Sequence, residues 1–179
     1  MLDVRSSSFV SRLEERRSKT LTRLANGNAT RAYIAWALTC LLMAVIRDSS
    51  LEYALRRQPS SSLMDHTFFR LIAMCCWIGG NIIHFSAMWA LGWKGIYHGD
   101  HFFGPLEYVE SFPYGLIASP MYNGKAISYL GSAIWTAKPA GLVLAVWTFV
   151  VFNVTGMIED KVTSEMYADR KRAAEVKED

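Results

Sequence analysis

Charged side chains are unevenly spread along the chain, and the gaps between them set the first expectations. Leu71–Trp93 holds no Lys, Arg, Asp or Glu over 23 residues. At a rise of about 1.5 Å per residue such a helix is roughly 34 Å long, enough to cross a hydrocarbon core of about 30 Å. Pro139–Ile158 is uncharged over 20 residues and reads LVLAVWTFVVF through its middle. It opens on a proline, whose missing N–H does no harm at a first helical position. Ala32–Ile46 is shorter, but Arg31 and Arg47 flank it, and both can snorkel to the interfaces and let a short helix span. From Ser111 to Ala137 the single charge is Lys125, yet Pro113, Gly115, Pro120, Gly124 and Gly131 interrupt the run. A broken or re-entrant segment followed by a short helix is expected there, since irregular backbone at membrane depth is tolerated where protein covers it. The pattern predicts an all-α, polytopic integral membrane protein with about four transmembrane helices, one of them the broken or re-entrant segment.

Composition agrees: of 179 residues 51% are hydrophobic and 20% charged, too apolar for a disordered chain. A net charge of +3, from 19 cations and 16 anions, lacks the dense basic face of a phosphate-binding domain, so nucleic acid is not an expected partner. Cys40, Cys75 and Cys76 all lie in apolar runs and read as buried thiols rather than a disulfide framework. Residues 1–31 carry seven Lys or Arg and no apolar core of signal-peptide type, so insertion is expected through the internal spans. Residues 8–25 suit either a basic surface helix on anionic lipid or a solvated charged tail.

Four crossings put both ends on one side. Lys and Arg number seven in residues 1–31 and five in 159–179, against Arg47, Arg56, Arg57 and Arg70 in the first loop, which predicts cytosolic termini. The 94–110 loop, with His98, Asp100 and His101, then also faces the cytosol. His66, His84, His98 and His101 show no paired metal-ligand spacing, and no metal is expected; His84, inside the second span, suits a hydrogen-bonded contact between helices.

The stretch from Trp89 to Tyr167 carries more than hydropathy. It contains Phe112-Pro113 followed by Tyr114, Pro120-Met121-Tyr122 with Gly124, Leu130-Gly131, Pro139 with Gly141, Glu159-Asp160, and Thr163 with Tyr167. In order and spacing this set resembles the phospholipid N-methyltransferase family, endoplasmic-reticulum membrane enzymes that methylate phosphatidylethanolamine or its mono- and dimethyl derivatives toward phosphatidylcholine with S-adenosylmethionine. The resemblance implies residues 1–31 as a cytosolic basic segment, 32–158 as the transmembrane catalytic domain and 159–179 as a cytosolic helix or tail. It also implies an endoplasmic-reticulum location, a membrane phospholipid substrate and S-adenosylmethionine as cofactor.

The family's cofactor site is attributed to a G-x-G on a transmembrane helix and an acidic pair after the last one. The first falls on Ile78-Gly79-Gly80, with isoleucine in place of the first glycine; the second falls on Glu159 and Asp160. A bare helix backbone at Gly80 suits close approach of a cofactor and equally of a neighbouring helix. Carboxylates at the helix mouth can accept hydrogen bonds from ribose hydroxyls or an ammonium group. Methyl transfer from a sulfonium to an amine chiefly requires alignment of the two and an unprotonated amine. Asp100, His98, His101 and Glu159 are the candidates to accept that proton, Asp100 and Glu159 foremost. Tyr114, Tyr122, Tyr129 and Trp135 can offer ring faces to a cation, or anchor at the interface; Tyr122, inside the Pro-Met-Tyr step, is singled out as catalytic with Asp100. Ser119 stands where relatives often carry a basic residue or histidine, and no basic residue precedes the Phe-Pro step. A methyltransferase acting on a prenylcysteine carboxylate and a non-catalytic scaffold of the same fold are the alternatives.

Overall fold

The computed structural model describes residues 19–104, 106, 107 and 109–178, with 160–178 as backbone. Regular structure among the described residues is entirely helical: α1 (Thr20–Leu24), α2 (Ala29–Arg56), a 3-10 turn at Ser62–Met64, α3 (Thr67–Ile96), α4 (Asp100–Phe103), α5 (Pro120–Trp135) and α6 (Pro139–Glu178). Three of these, α2, α3 and α6, are long and apolar enough to cross a membrane. The irregular stretch before Pro120 and the 16-residue α5, about 24 Å long, supply the broken segment and short helix expected there. The chain is an all-α polytopic membrane protein. Its large apolar side chains point outward, among them Leu38, Trp77, Phe85, Trp147 and Trp89, which is 90% exposed. Such a surface would drive association in water; against lipid tails it meets its own kind.

The sequence-based spans lie inside the observed helices, with one underestimate. The charge pattern ends the first span at Ile46, before Arg47, whereas α2 continues to Arg56. An Arg47–Asp48 pair at 2.9 Å and a Glu52–Arg56 pair across one turn line this extension. A charge marks where hydrocarbon ends, but Arg and Glu are good helix formers and do not end a helix. Within α3 the helix kinks at Gly92 (φ 62, ψ 174), a conformation that excludes residues with a Cβ. Residues 1–18, and with them most of the surface helix considered for 8–25, lie outside the described residues.

The described residues fall into two units, one from 19–48 and 91–107, the other from 49–90 and 109–178. In the first, Tyr33 is the hub. Its ring meets Phe102 and Phe103 edge-on at 5.7 and 5.2 Å, and its hydroxyl donates to the Trp93 carbonyl at 2.7 Å, next to the Gly92 kink. Buried Ala37 and Tyr97 complete this small core.

In the second unit α3 and α5 touch backbone to backbone. A Cβ built on Gly80 would lie 2.6 Å from both the Gly124 carbonyl oxygen and the Ser128 nitrogen; one on Gly124 would lie 2.6 Å from the His84 nitrogen; one on Gly131 would lie 2.6 Å from the Trp77 nitrogen. Ala73, Trp77, Gly80 and His84 face Gly124, Ser128 and Gly131 at one-turn intervals, the small-residue packing that membrane helices use in place of a hydrophobic drive. His84 Nδ1–H donates to the Met121 carbonyl at 2.8 Å, the helix–helix bond expected of it. Helix α5 then ends in a Schellman turn. Ala137 stands at φ 51, the Lys138 and Ala137 amides bond back to Ala133 and Ile134, and Pro139 starts α6. The two helices therefore run antiparallel as a hairpin.

Candidate functional site

The hairpin decides which residues of α5 and α6 share a level. Ser119, the left-handed residue (φ 44, ψ 54) before Pro120, fits against Gly156, where an added Cβ would come within 2.7 Å of its Oγ. One turn along, Tyr122 projects toward the start of α5 and Glu159 toward the start of α6, because helical side chains lean to their own N-terminus. In an antiparallel pair those directions converge. The Tyr122 hydroxyl donates to Glu159 Oε2 at 2.8 Å, and its ring rests 5.3 Å from that of Phe152. Beside this pair Asn153 Nδ2 reaches Asn123 Oδ1 at 3.4 Å, while Asn123 Nδ2 donates to the Ala118 carbonyl. The result is a part-buried polar patch at one end of a hairpin that is otherwise apolar.

Glu159 and Tyr122 come together, joining two motifs 37 residues apart. Gly80 does not join them: Gly124 and Ser128 of α5 cover its backbone, on the face of α5 turned away from α6, about 6 Å further along the axis from Tyr122. Its bare backbone is used for helix packing. Gly79 is different, with nothing within 4 Å of a Cβ placed there, and Ile78 is 45% exposed. Asp160 follows Glu159 on α6, its side chain outside the described residues. Asp100 belongs to the other unit, where it opens α4 with its carboxylate 3.8 Å from His101 Nε2.

Sequence reasoning missed two features. The Asn123–Asn153 contact had no signal except polar residues at matching levels of a hairpin. The second miss is convergence of His98, Asp100 and His101, whose donor atoms all lie within 4.8 Å of one another. Paired metal spacing is usually sought at helical intervals, whereas here a left-handed His98 (φ 55) turns the chain so that a shorter interval closes. Tyr114, in the irregular segment before α5, carries a phenol that can donate a hydrogen bond.

The electrostatic character of the α5–α6 patch is that of an acceptor. A carboxylate only accepts, through two oxygens with about four lone-pair directions, so Glu159 is suited to groups rich in N–H or O–H. A ribose diol and an ammonium both answer to that description.

Comparison with known proteins supplies the rest. The family profile described as phospholipid methyltransferase matches residues 68–170, more than half the chain. A Neurospora crassa protein named phosphatidyl-N-methylethanolamine N-methyltransferase is 36% identical over 159 residues, covering 88% of this chain and 74% of its own. The Saccharomyces cerevisiae protein of the same name is 33% identical over 168 residues, 93% and 80% of the two chains. A Mus musculus phosphatidylethanolamine N-methyltransferase is 32% identical, over 87% and 78%. No solved structure matches the chain significantly. With the profile spanning α3 to the α6 extension, and with relatives aligned over nearly the whole sequence, the chain belongs to the phospholipid methyltransferase family.

Proposed function

We propose that the protein transfers methyl groups from S-adenosylmethionine to the amine of phosphatidylethanolamine or of its mono- and dimethyl derivatives, toward phosphatidylcholine. The observation that carries this reading is the Tyr122–Glu159 hydrogen bond: it ties the Pro-Met-Tyr step to the acidic pair in one acceptor-rich patch. Glu159, with Asp160 beside it in sequence, accepts from the hydroxyl or ammonium groups of the cofactor, and Tyr122 holds the Glu159 carboxylate in place. Of the Ile78-Gly79-Gly80 step, contact is assigned to Gly79, which has open space where Gly80 has a neighbouring helix. S-adenosylmethionine supplies an electrophilic methyl group and its own leaving group.

What remains for the chain is to orient the amine, exclude water and take up the one proton that each substrate ammonium must lose before its nitrogen can attack. Asp100, a carboxylate able to accept it, is assigned the proton. The exposed apolar flanks of the helices support a bilayer location, the medium of a phospholipid substrate, and the charge bias of the tails supports cytosolic termini and access to a soluble cofactor. We assign it to the endoplasmic reticulum, as the family resemblance implies.

The test supplies microsomes containing the protein with labelled S-adenosylmethionine and, separately, phosphatidylethanolamine and its mono- and dimethyl derivatives. Labelled phospholipid, with its mass identifying the step, is the expected result. Label that never enters the lipid fraction, from protein shown to be folded, would overturn the proposal.

A further inference from the structure

We propose that His98, Asp100 and His101 form a binding site for one divalent transition-metal ion of the zinc class. The side chains come from a single tight loop. Its backbone bonds are made internally: Gly99 N–H bonds to the Lys94 carbonyl at 2.7 Å, His101 N–H to that of His98, Phe102 and Phe103 N–H to that of Gly99, and Gly104 N–H to that of Asp100. With its backbone satisfied, the loop leaves the three side chains to converge, and one donor atom from each lies within 4.8 Å of the others.

The chemistry of the set selects the ion. Two imidazoles and a carboxylate suit zinc and its first-row neighbours, whereas magnesium and calcium take oxygen ligands. Around an ion with bonds of about 2.0–2.2 Å in tetrahedral array, neighbouring donors stand roughly 3.3–3.6 Å apart. His101 Nε2 and Asp100 Oδ2 are already 3.8 Å apart, and the His98 and His101 rings lie 6.2 Å apart between centroids. Donor atoms within 4.8 Å of one another would have to close by at most about 1.5 Å to reach that separation. Three protein ligands leave a fourth position for water, the arrangement of an open rather than a closed site.

The loop is also held rigid. The His101 side chain is 7% exposed, and the two residues after it clamp the Tyr33 ring edge-on, so two of the ligands start from a fixed platform. His98 occupies the left-handed region, which histidine visits more readily than most residues. The inference goes beyond the proposed methyl transfer and does not depend on it. An ion there occupies Asp100, and the amine proton then falls to Glu159, the other carboxylate singled out for it.

The experiment uses the full-length protein in detergent, stripped with chelator and without an affinity tag. Zinc is titrated against a chromogenic chelator, and cobalt(II) absorption is recorded alongside. One ion per chain is expected, bound at least about tenfold more weakly by His98→Gln and by His101→Gln, the lower end of what even outer-sphere changes do to metal affinity. The cobalt spectrum should lack thiolate charge-transfer bands. Should a histidine variant fail to fold by its thermal melt, Asp100→Asn serves under the same criteria. Wild-type affinity no higher than that of the folded variants, or thiolate bands placing the ion on the cysteines, would overturn the site.

Discussion

Substituting Tyr122 by phenylalanine removes one hydroxyl from the α5–α6 patch and leaves the ring on Phe152. The bond lost is 2.8 Å long and ends on a carboxylate, so its full strength lies near the range for charged partners, about 1.5–3 kcal/mol. Glu159 is partly exposed, however, and water can replace the phenol. The net effect is therefore about 0.5–1.5 kcal/mol, or roughly two- to thirteenfold weaker cofactor binding. Glu159→Gln strikes the acceptor itself. If the carboxylate receives hydroxyl or ammonium donors of S-adenosylmethionine, its loss costs about 1.5–3 kcal/mol, roughly thirteen- to 160-fold in affinity. Because the tyrosine acts through the glutamate, the two changes should not add: Tyr122→Phe in the Glu159→Gln background should weaken binding less than about twofold further. Equilibrium binding of labelled cofactor to the wild type, both single variants and the double variant completes the cycle, with thermal melts as the control for folding. A Glu159→Gln variant that binds within twofold of wild type while folded would refute the acceptor role. Effects that multiply in full would refute the claim that Tyr122 works by positioning Glu159.

Neighbouring glycines should part company: Gly80→Ala drives a Cβ into backbone atoms of α5 at 2.6 Å and should lower stability by about 1–3 kcal/mol or more, whereas Gly79→Ala should melt like wild type and, if Gly79 touches the cofactor, bind it less well. Thermal melts and binding on both variants separate packing from contact. Tyr33→Phe leaves the Trp93 carbonyl without its 2.7 Å donor and should destabilise by about 1 kcal/mol, visible as a lower denaturation midpoint; an unchanged midpoint would show that the hydroxyl is not holding the kinked end of α3. Tags at both termini should be removed by protease added to sealed right-side-out microsomes, and protection of either would refute the proposed arrangement.

How much of the fold and of the site is legible in the amino-acid sequence depends on the kind of interaction. Leu71–Trp93 and Pro139–Ile158 stand out because a bilayer filters for length and lack of charge, both written locally in the chain. The prolines and glycines between Ser111 and Ala137 likewise announce irregular backbone followed by a short helix. The extra turns of α2 are not legible in the same way, since Arg47 is a boundary of the lipid and hydropathy does not distinguish that from a boundary of the helix. Tyr122 and Glu159 are both marked, but by the family pattern; their hydrogen bond depends on the register of the hairpin, which no single residue encodes. At Gly80 the sequence allows packing and cofactor contact alike, because both ask only for a missing Cβ, and the proximity of Gly124 and Ser128 decides for packing. The convergence of His98, Asp100 and His101 is hidden by a backbone conformation that histidine adopts only in some contexts.

Helix α6 runs unbroken from Pro139 to Glu178, and this turns the apolar half of it into a measuring stick. Its composition can drift widely, since any apolar side chain serves against lipid, yet the number of residues between the turn at Ala137 and Glu159 has little freedom. One inserted residue would rotate Glu159 by about 100° and shift it about 1.5 Å, carrying the carboxylate off the Tyr122 hydroxyl. Seven would restore the phase to within about 20° but overshoot by roughly 10 Å. In this segment, insertions and deletions should be far more damaging than substitutions, even though most of the residues involved are of a kind that hydropathy treats as interchangeable.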